Sequence, residues 1–178
     1  MRPSRLGALF ALVLIALATF YSPLARNQVP TPTPSVWVAD HKTLFGIDPG
    51  TNTVVATVPQ PYEVDALAVD PSDRGIWGLA HKRLLKFDAA TSLILELDLK
   101  TLSKKAEDGK RLFLNPYDRS LWAVSEKSVL HLDHEGRLVH EWSAPQEIRA
   151  AMLAQDESLW LVSGNELLRL GATGTLLQ

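Results

Sequence analysis

The sequence predicts an all-β chain, a β-propeller-like array of about four four-stranded blades, with a hydrophobic signal or anchor helix ahead of it. Three observations carry this reading. A Trp-led hairpin occurs four times: Val36–Asp48, Ile76–Asp88, Leu121–Asp133 and Leu159–Gly171. In every copy the closing position lies eleven residues after the Trp, without a gap. The spacing between successive copies, at 40, 45 and 38 residues, is that of a repeat architecture.

The first 35 residues stand apart from the repeats. Arg2 and Arg5 precede sixteen residues without a charge, Leu6–Tyr21. A basic stretch before an apolar one is an export signal, and the run is short for a spanning helix, which needs about 20 residues. Ala16-Leu17-Ala18 offers a small-x-small cleavage site. Residues 1–25 are therefore expected to be a signal peptide or a membrane anchor, with residues 6–24 as the tether if it is not cut. Either way the remainder is placed outside the cytoplasm, periplasmic, secreted or membrane-anchored. Residues 26–35 contain Pro30-Thr-Pro-Thr-Pro34, which favours an extended spacer.

From residue 36 the pattern is strands and turns. The expected blades are 36–62, 63–105, 106–147 and 148–178. The second unit reads as Val64–Val69, Ile76–Leu79, Leu84–Phe87 and Ser92–Leu99. The third reads as Arg111–Leu114, Leu121–Val124, Val129–Leu132 and Arg137–Trp142. The fourth has Ile148–Ala154, Leu159–Val162, Leu167–Leu170 and a stub at Leu176–Gln178. Along the third strand of each unit, Phe45/Ile47, Leu85/Phe87, Leu130/Leu132 and Leu168/Leu170 alternate with Gly46, Lys86, His131 and Arg169, and period two marks half-buried strands. His131 and Arg169 are expected to point outward to solvent. Turn chemistry falls between the strands: Asp70-Pro-Ser-Asp-Arg-Gly75 and Asn115-Pro-Tyr-Asp-Arg-Ser120 match position by position, with Pro presetting φ and Asp or Asn bonding back to the turn amides. Lys100–Asp108 has room for one helical turn.

Four antiparallel strands per forty residues define a propeller blade. A blade with two apolar faces must stack on neighbours, so Trp37, Trp77, Trp122 and Trp160 are expected to be structural rings, one per blade. The first unit lacks an innermost strand, because the Pro-rich spacer precedes Trp37, and the last has only a stub of its outermost one. Self-association through open blade edges, completion by a partner, and a portion of a larger propeller are the readings this leaves.

The motifs Ala66-Leu-Ala-Val-Asp-Pro71, Ile76-Trp-Gly-Leu79 and Leu84-Leu-Lys-Phe-Asp88 resemble the repeats of NHL/YVTN-type propellers and the related streptogramin B lyase-like proteins. The resemblance covers about residues 35–178. It implies a propeller that binds a ligand at one end of its channel, although family members commonly have six or seven blades. The lyase relatives use a His and carboxylates with a divalent metal, which suggests His81 as a general base with Glu63 or Glu126.

Composition narrows the function. A formal net charge of −2 argues against a general nucleic-acid binder. The chain has no cysteine, which excludes disulfides, thiolate metal sites and a Cys nucleophile. A Gly-x-Ser-x-Gly elbow and a phosphate loop are absent from the sequence. The expected binding face is the end carrying the second-to-third strand turns and the crossings: His41, Lys42, His81, Lys82, Glu126, Lys127 and Glu147, on loops held by a rigid scaffold. The expectation is an exported, non-catalytic binding or scaffold module with an unknown protein or small-molecule ligand and no metal or cofactor. A lyase-like enzyme is the alternative.

Overall fold

The computed structural model describes residues 36–104 and 109–177. The expected signal or anchor segment and the Pro-rich stretch lie outside the described residues. All the strands belong to the unit Thr33–Gln178. They form four small antiparallel sheets. The first holds β1 (Val36–Asp40), β2 (Thr43–Asp48) and β3 (Thr53–Pro59). The second holds β4 (Ala66–Val69), β5 (Ile76–Ala80), β6 (Arg83–Phe87) and β7 (Leu93–Asp98). A single helical turn, α1 (Leu99–Leu102), leads towards the third sheet of β8 (Gly109–Leu114), β9 (Leu121–Ser125), β10 (Ser128–Leu132) and β11 (Leu138–Ser143). The fourth comprises β12 (Ile148–Leu153), β13 (Leu159–Ser163) and β14 (Glu166–Leu170), and Leu176 makes one further bridge to Leu170. Within each sheet the strands follow chain order. The first sheet thus begins at the Trp strand, and the fourth has a single bridge where the second and third have a full outer strand. Among the described residues no helix is long and apolar enough to cross a membrane.

Local chemistry explains why the strands stop where they do. Asp48, Asp88 and Asp133 close the third strands by accepting backbone N–H bonds from Gly50, Ala90 and Glu135, each at 2.9 Å. Asp98 does the same for α1, accepting from Lys100 at 2.9 Å as its N-cap. Bulges recur at matching places against the outer strands, at Gly46/Ile47, Lys86/Phe87 and His131/Leu132, where an extra residue bends the partner strand.

The sheets pack face to face in sequence order, through three clusters. Leu44, with Trp37 and Ala39, meets Ile76, Leu85 and Phe87 between the first and second sheets. Trp77, Leu79 and Leu84 meet Leu121, Ala123, Leu130 and Leu132 between the second and third. Trp122, Val124 and Val129 meet Ile148, Leu159, Leu161 and Leu170 between the third and fourth. Each time, the Trp-bearing face of one sheet receives the opposite face of the next. The inner strands β4, β8 and β12 lie side by side along one edge of this stack.

Two expectations need correction. Trp77 and Trp122 are fully buried, but Trp37 and Trp160 are only half-buried: among the described residues Trp37 lies on an edge strand with no inner strand beside it, and no sheet covers the Trp160 face. His131 does not face solvent: it is 4% exposed. In a two-residue hairpin the residue nine places after the Trp lies directly opposite it, as Trp77↔Lys86, Trp122↔His131 and Trp160↔Arg169. These side chains therefore cover the ring: Lys86 Nζ stands 4.7 Å and the Arg169 guanidinium 5.3 Å from the ring centroid of its Trp. Arg169 also donates to Asp156 at 2.6 Å.

Candidate functional site

Except for Glu147, the predicted binding residues lie on the two-residue turns between second and third strands, where backbone geometry sets their places. His41 and His81 sit at φ 46° and 52°, and Gly164 occupies the same turn position at φ 59°. Left-handed backbone favours Gly, Asn, Asp and His among the twenty, so turn geometry accounts for both histidines. Their carbonyls fasten the next sheet: His41 O accepts from Val64 N at 3.1 Å, His81 O from Gly109 N at 2.8 Å and Glu126 O from Ile148 N at 2.6 Å. The neighbouring Lys42, Lys82 and Lys127 carbonyls accept from Gln60, Leu99 and Ala144 at 2.7–2.8 Å. The backbone at these positions is structural, and the side chains of His41, Lys42, His81, Glu126 and Lys127 are exposed.

Around the second sheet those side chains gather. Arg83 donates to Glu96 at 2.5 Å and lies 4.8 Å from the Tyr62 ring centroid, while the Tyr62 hydroxyl donates to the same Glu96 oxygen at 2.9 Å. That bond to Glu96, with some burial, raises the Tyr62 pKa above the usual phenol value. His81 Nδ1 stands 3.9 Å from Asp65, whose carboxylate accepts the His81 backbone N–H at 2.9 Å. His41 Nδ1 stands 3.4 Å from Glu63. The structure thus pairs His81 with Asp65 and Glu63 with His41. A cleft of about 250 Å³ opens here, lined by Tyr62, His81, Lys82, Arg83, Asp98 and Lys100. Glu126 and Lys127 occupy the matching turn of the third sheet, and Glu147 lies in the crossing to the fourth, all exposed. Among the described residues no three His, Asp or Glu side chains group to hold a metal ion.

The opposite end of the stack carries features that strand patterning did not single out as a site. Its turns reach from sheet to sheet. Arg119, at φ 63°, donates to buried Asp70 at 2.6 Å and to Asp73 of the preceding sheet's turn. Asn115 donates to Glu157 of the following turn at 2.8 Å. Burial pushes the Asp70 carboxyl upward, but bonds from Ser72 and Arg119 outweigh it and hold the group below the usual carboxylate range. Between these turns, where β4, β8 and β12 end, lies an apolar groove of about 470 Å³. Val69, Leu112, Phe113, Leu114 and Leu153 line it, and Tyr117 stands on its rim, 70% exposed. The sequence signal was present in the matched Asp-Pro and Asn-Pro turns, one of which holds Tyr117.

No protein-family model matches this chain, and no curated protein matches it.

Proposed function

We propose that residues 36–178 are a non-catalytic, β-propeller-like binding module displayed outside the cytoplasm, of the NHL/YVTN kind, and that it takes an apolar or aromatic ligand segment in the groove between β4, β8 and β12. The groove is the observation that supports this most. Ligand sites are concave, mostly apolar and fringed by a few polar groups, and this one joins three inner strands to a fringe of polar turns. Tyr117 adds a ring with two torsions and a hydroxyl, the side-chain type enriched where proteins make contacts. The export reading rests on Arg2, Arg5 and the apolar run behind them.

The test is peptide selection on the full chain, followed by Val69→Glu and Leu153→Glu, each of which puts a charge into the groove. Enrichment of aromatic peptides whose binding both variants abolish, with melting unchanged, is the expected result. Binding that survives both substitutions would remove the groove as the site.

One observation favours a second reading, metal-assisted lyase chemistry: His81 stands beside a carboxylate, that of Asp65. Saturable Mn²⁺ binding to the chain, lost in Asp65→Asn, would support it, and no binding at millimolar metal would retire it.

A further inference from the structure

Among the described residues the stack ends in two uncovered faces, and these are the two halves of an interface that the chain already makes three times. On the Trp-bearing side, Leu44, Leu84 and Val129 hold the same position, two residues into the third-strand side of the hairpin, and each is at most 1% exposed under the following sheet. Leu167, their counterpart in the fourth sheet, is 60% exposed. Met152, opposite Trp160, is bare as well. With Trp160, Val162 and Ala150 they line an apolar depression of about 190 Å³. On the other side, the residue after each Trp behaves in the same way: Ala123 and Leu161 are at most 4% exposed, but Val38 is 45% exposed. Val36, Val38 and Val54 share that outer face with Phe45 and Ile47, by the register of β1, β2 and β3.

We propose that a second copy of this chain covers these faces, head to tail: the Trp160 face of one copy receives the Val38/Phe45 face of another. The argument is one of repetition. At the second and third sheets, Leu84 and Ala123 belong to a single cluster, and at the third and fourth, Val129 and Leu161 do. Leu167 and Val38 are the corresponding pair that no described residue covers, and they lie on the two end sheets of the stack, so another copy supplies the matching half for each. An apolar sheet face of this kind rarely stays bare on a soluble monomer. The contact is heterologous, with different surfaces meeting, and such contacts propagate or close into rings. Two copies bring eight sheets, within the range of about four to eight blades that propellers close. This inference is independent of the ligand groove, which lies on the inner edge and not on the end faces.

The absence of cysteine makes a clean test. Val38→Cys and Leu167→Cys are placed in separate, differently tagged full-length chains, co-expressed, extracted together and oxidised with copper phenanthroline. A disulfide between the two kinds of chain, and none in either variant alone, is the expected result. Val54→Cys with Leu167→Cys repeats the test should Val38→Cys fold poorly. Self-disulfides of one variant would mean like faces meet and would overturn head-to-tail packing. An intrachain bond in the doubly substituted chain would mean the four sheets close on themselves. Thiols that find no partner would mean another surface covers these faces, such as residues 6–24 or a different protein. Leu167→Asp should release monomers in sedimentation at unchanged melting temperature, and persistence of the larger species would also overturn the proposal.

Discussion

The indole of Trp122 and the imidazole of His131 stack with centroids 4.0 Å apart and planes 10° apart, between the third and fourth sheets. Both His131 nitrogens and Trp122 Nε1 are buried without a hydrogen-bond partner among the described residues. A protonated ring there would need desolvation that nothing repays. Burial accordingly lowers the His131 pKa below its usual value; Asp118 pulls it back up and His140 adds to the lowering. The second and fourth sheets place a cation at this position and the first a glycine, whereas the third places a buried imidazole.

The sign of the pH effect follows. The unfolded chain takes up a proton on His131 below about pH 6.5 while the fold resists it. Stability should therefore fall as pH drops from about 6.5 towards the lowered folded value. His131→Phe keeps a flat ring on Trp122 and removes two unbonded nitrogens. Its melting temperature, followed from pH 7.5 to 5, should decline less steeply than that of the parent. Parallel curves would sink this account.

The Trp rings should divide by position. Trp77→Ala and Trp122→Ala each should cost about 3–5 kcal/mol, as large-to-small changes in a closed core do. Trp160→Ala should cost about 1–2 kcal/mol from lost apolar burial in the dissociated Leu167→Asp chain, and more in the parent, where a second copy covers that face. Urea melts of the three variants give the ranking. A Trp160 loss equal to that of Trp122 would indicate that the end face is covered in solution.

Gly109 begins β8 against Leu79. A Cβ there would clash with three Leu79 side-chain carbons. Gly109→Ala should overpack the contact and cost about 1–3 kcal/mol, and Leu79→Ala in the same chain should recover part of that loss. A double-mutant cycle in urea reads the coupling.

Arg119 joins two turns through Asp70 and Asp73. Arg119→Ala leaves the Asp70 carboxylate buried with Ser72 as its remaining side-chain partner, and should cost about 2–3 kcal/mol at neutral pH. Asp70 is held below its ordinary pKa, so its contribution is present above the unfolded value, near 3.9, and fades as pH falls through the lowered folded one. The gap between parent and variant should narrow on acidification over that range. A gap that stays constant to pH 2 would assign the loss to packing alone.

His81→Gly should be neutral or stabilising by up to about 1 kcal/mol, since glycine relieves the left-handed backbone and leaves the carbonyl bond to Gly109 in place. A marked loss of stability would show that the imidazole itself holds the turn.

The local pattern settled much of this protein in advance. Period two and the Pro-Gly-Asp turn chemistry placed the strands, because side-chain alternation and preset φ act over a few residues and need no partner. The nine-residue step from Trp122 to His131 was also legible, since a two-residue turn forces that pairing. What it did not reveal was depth. His131 and Arg169 occupy the same register position, yet one is sealed and the other reaches Asp156, because among the described residues the third sheet has a neighbour on its Trp side and the fourth does not. Leu84 and Leu167 make the same point: two leucines at the same register position, one buried and one bare. Burial is a property of which sheet lies across the face. The chemistry at the opposite end, with Arg119 on Asp70 and the groove between β4, β8 and β12, likewise arises from segments some forty residues apart meeting at a common edge. Tertiary packing decided that, since no local rule carries the distance between one sheet and the next.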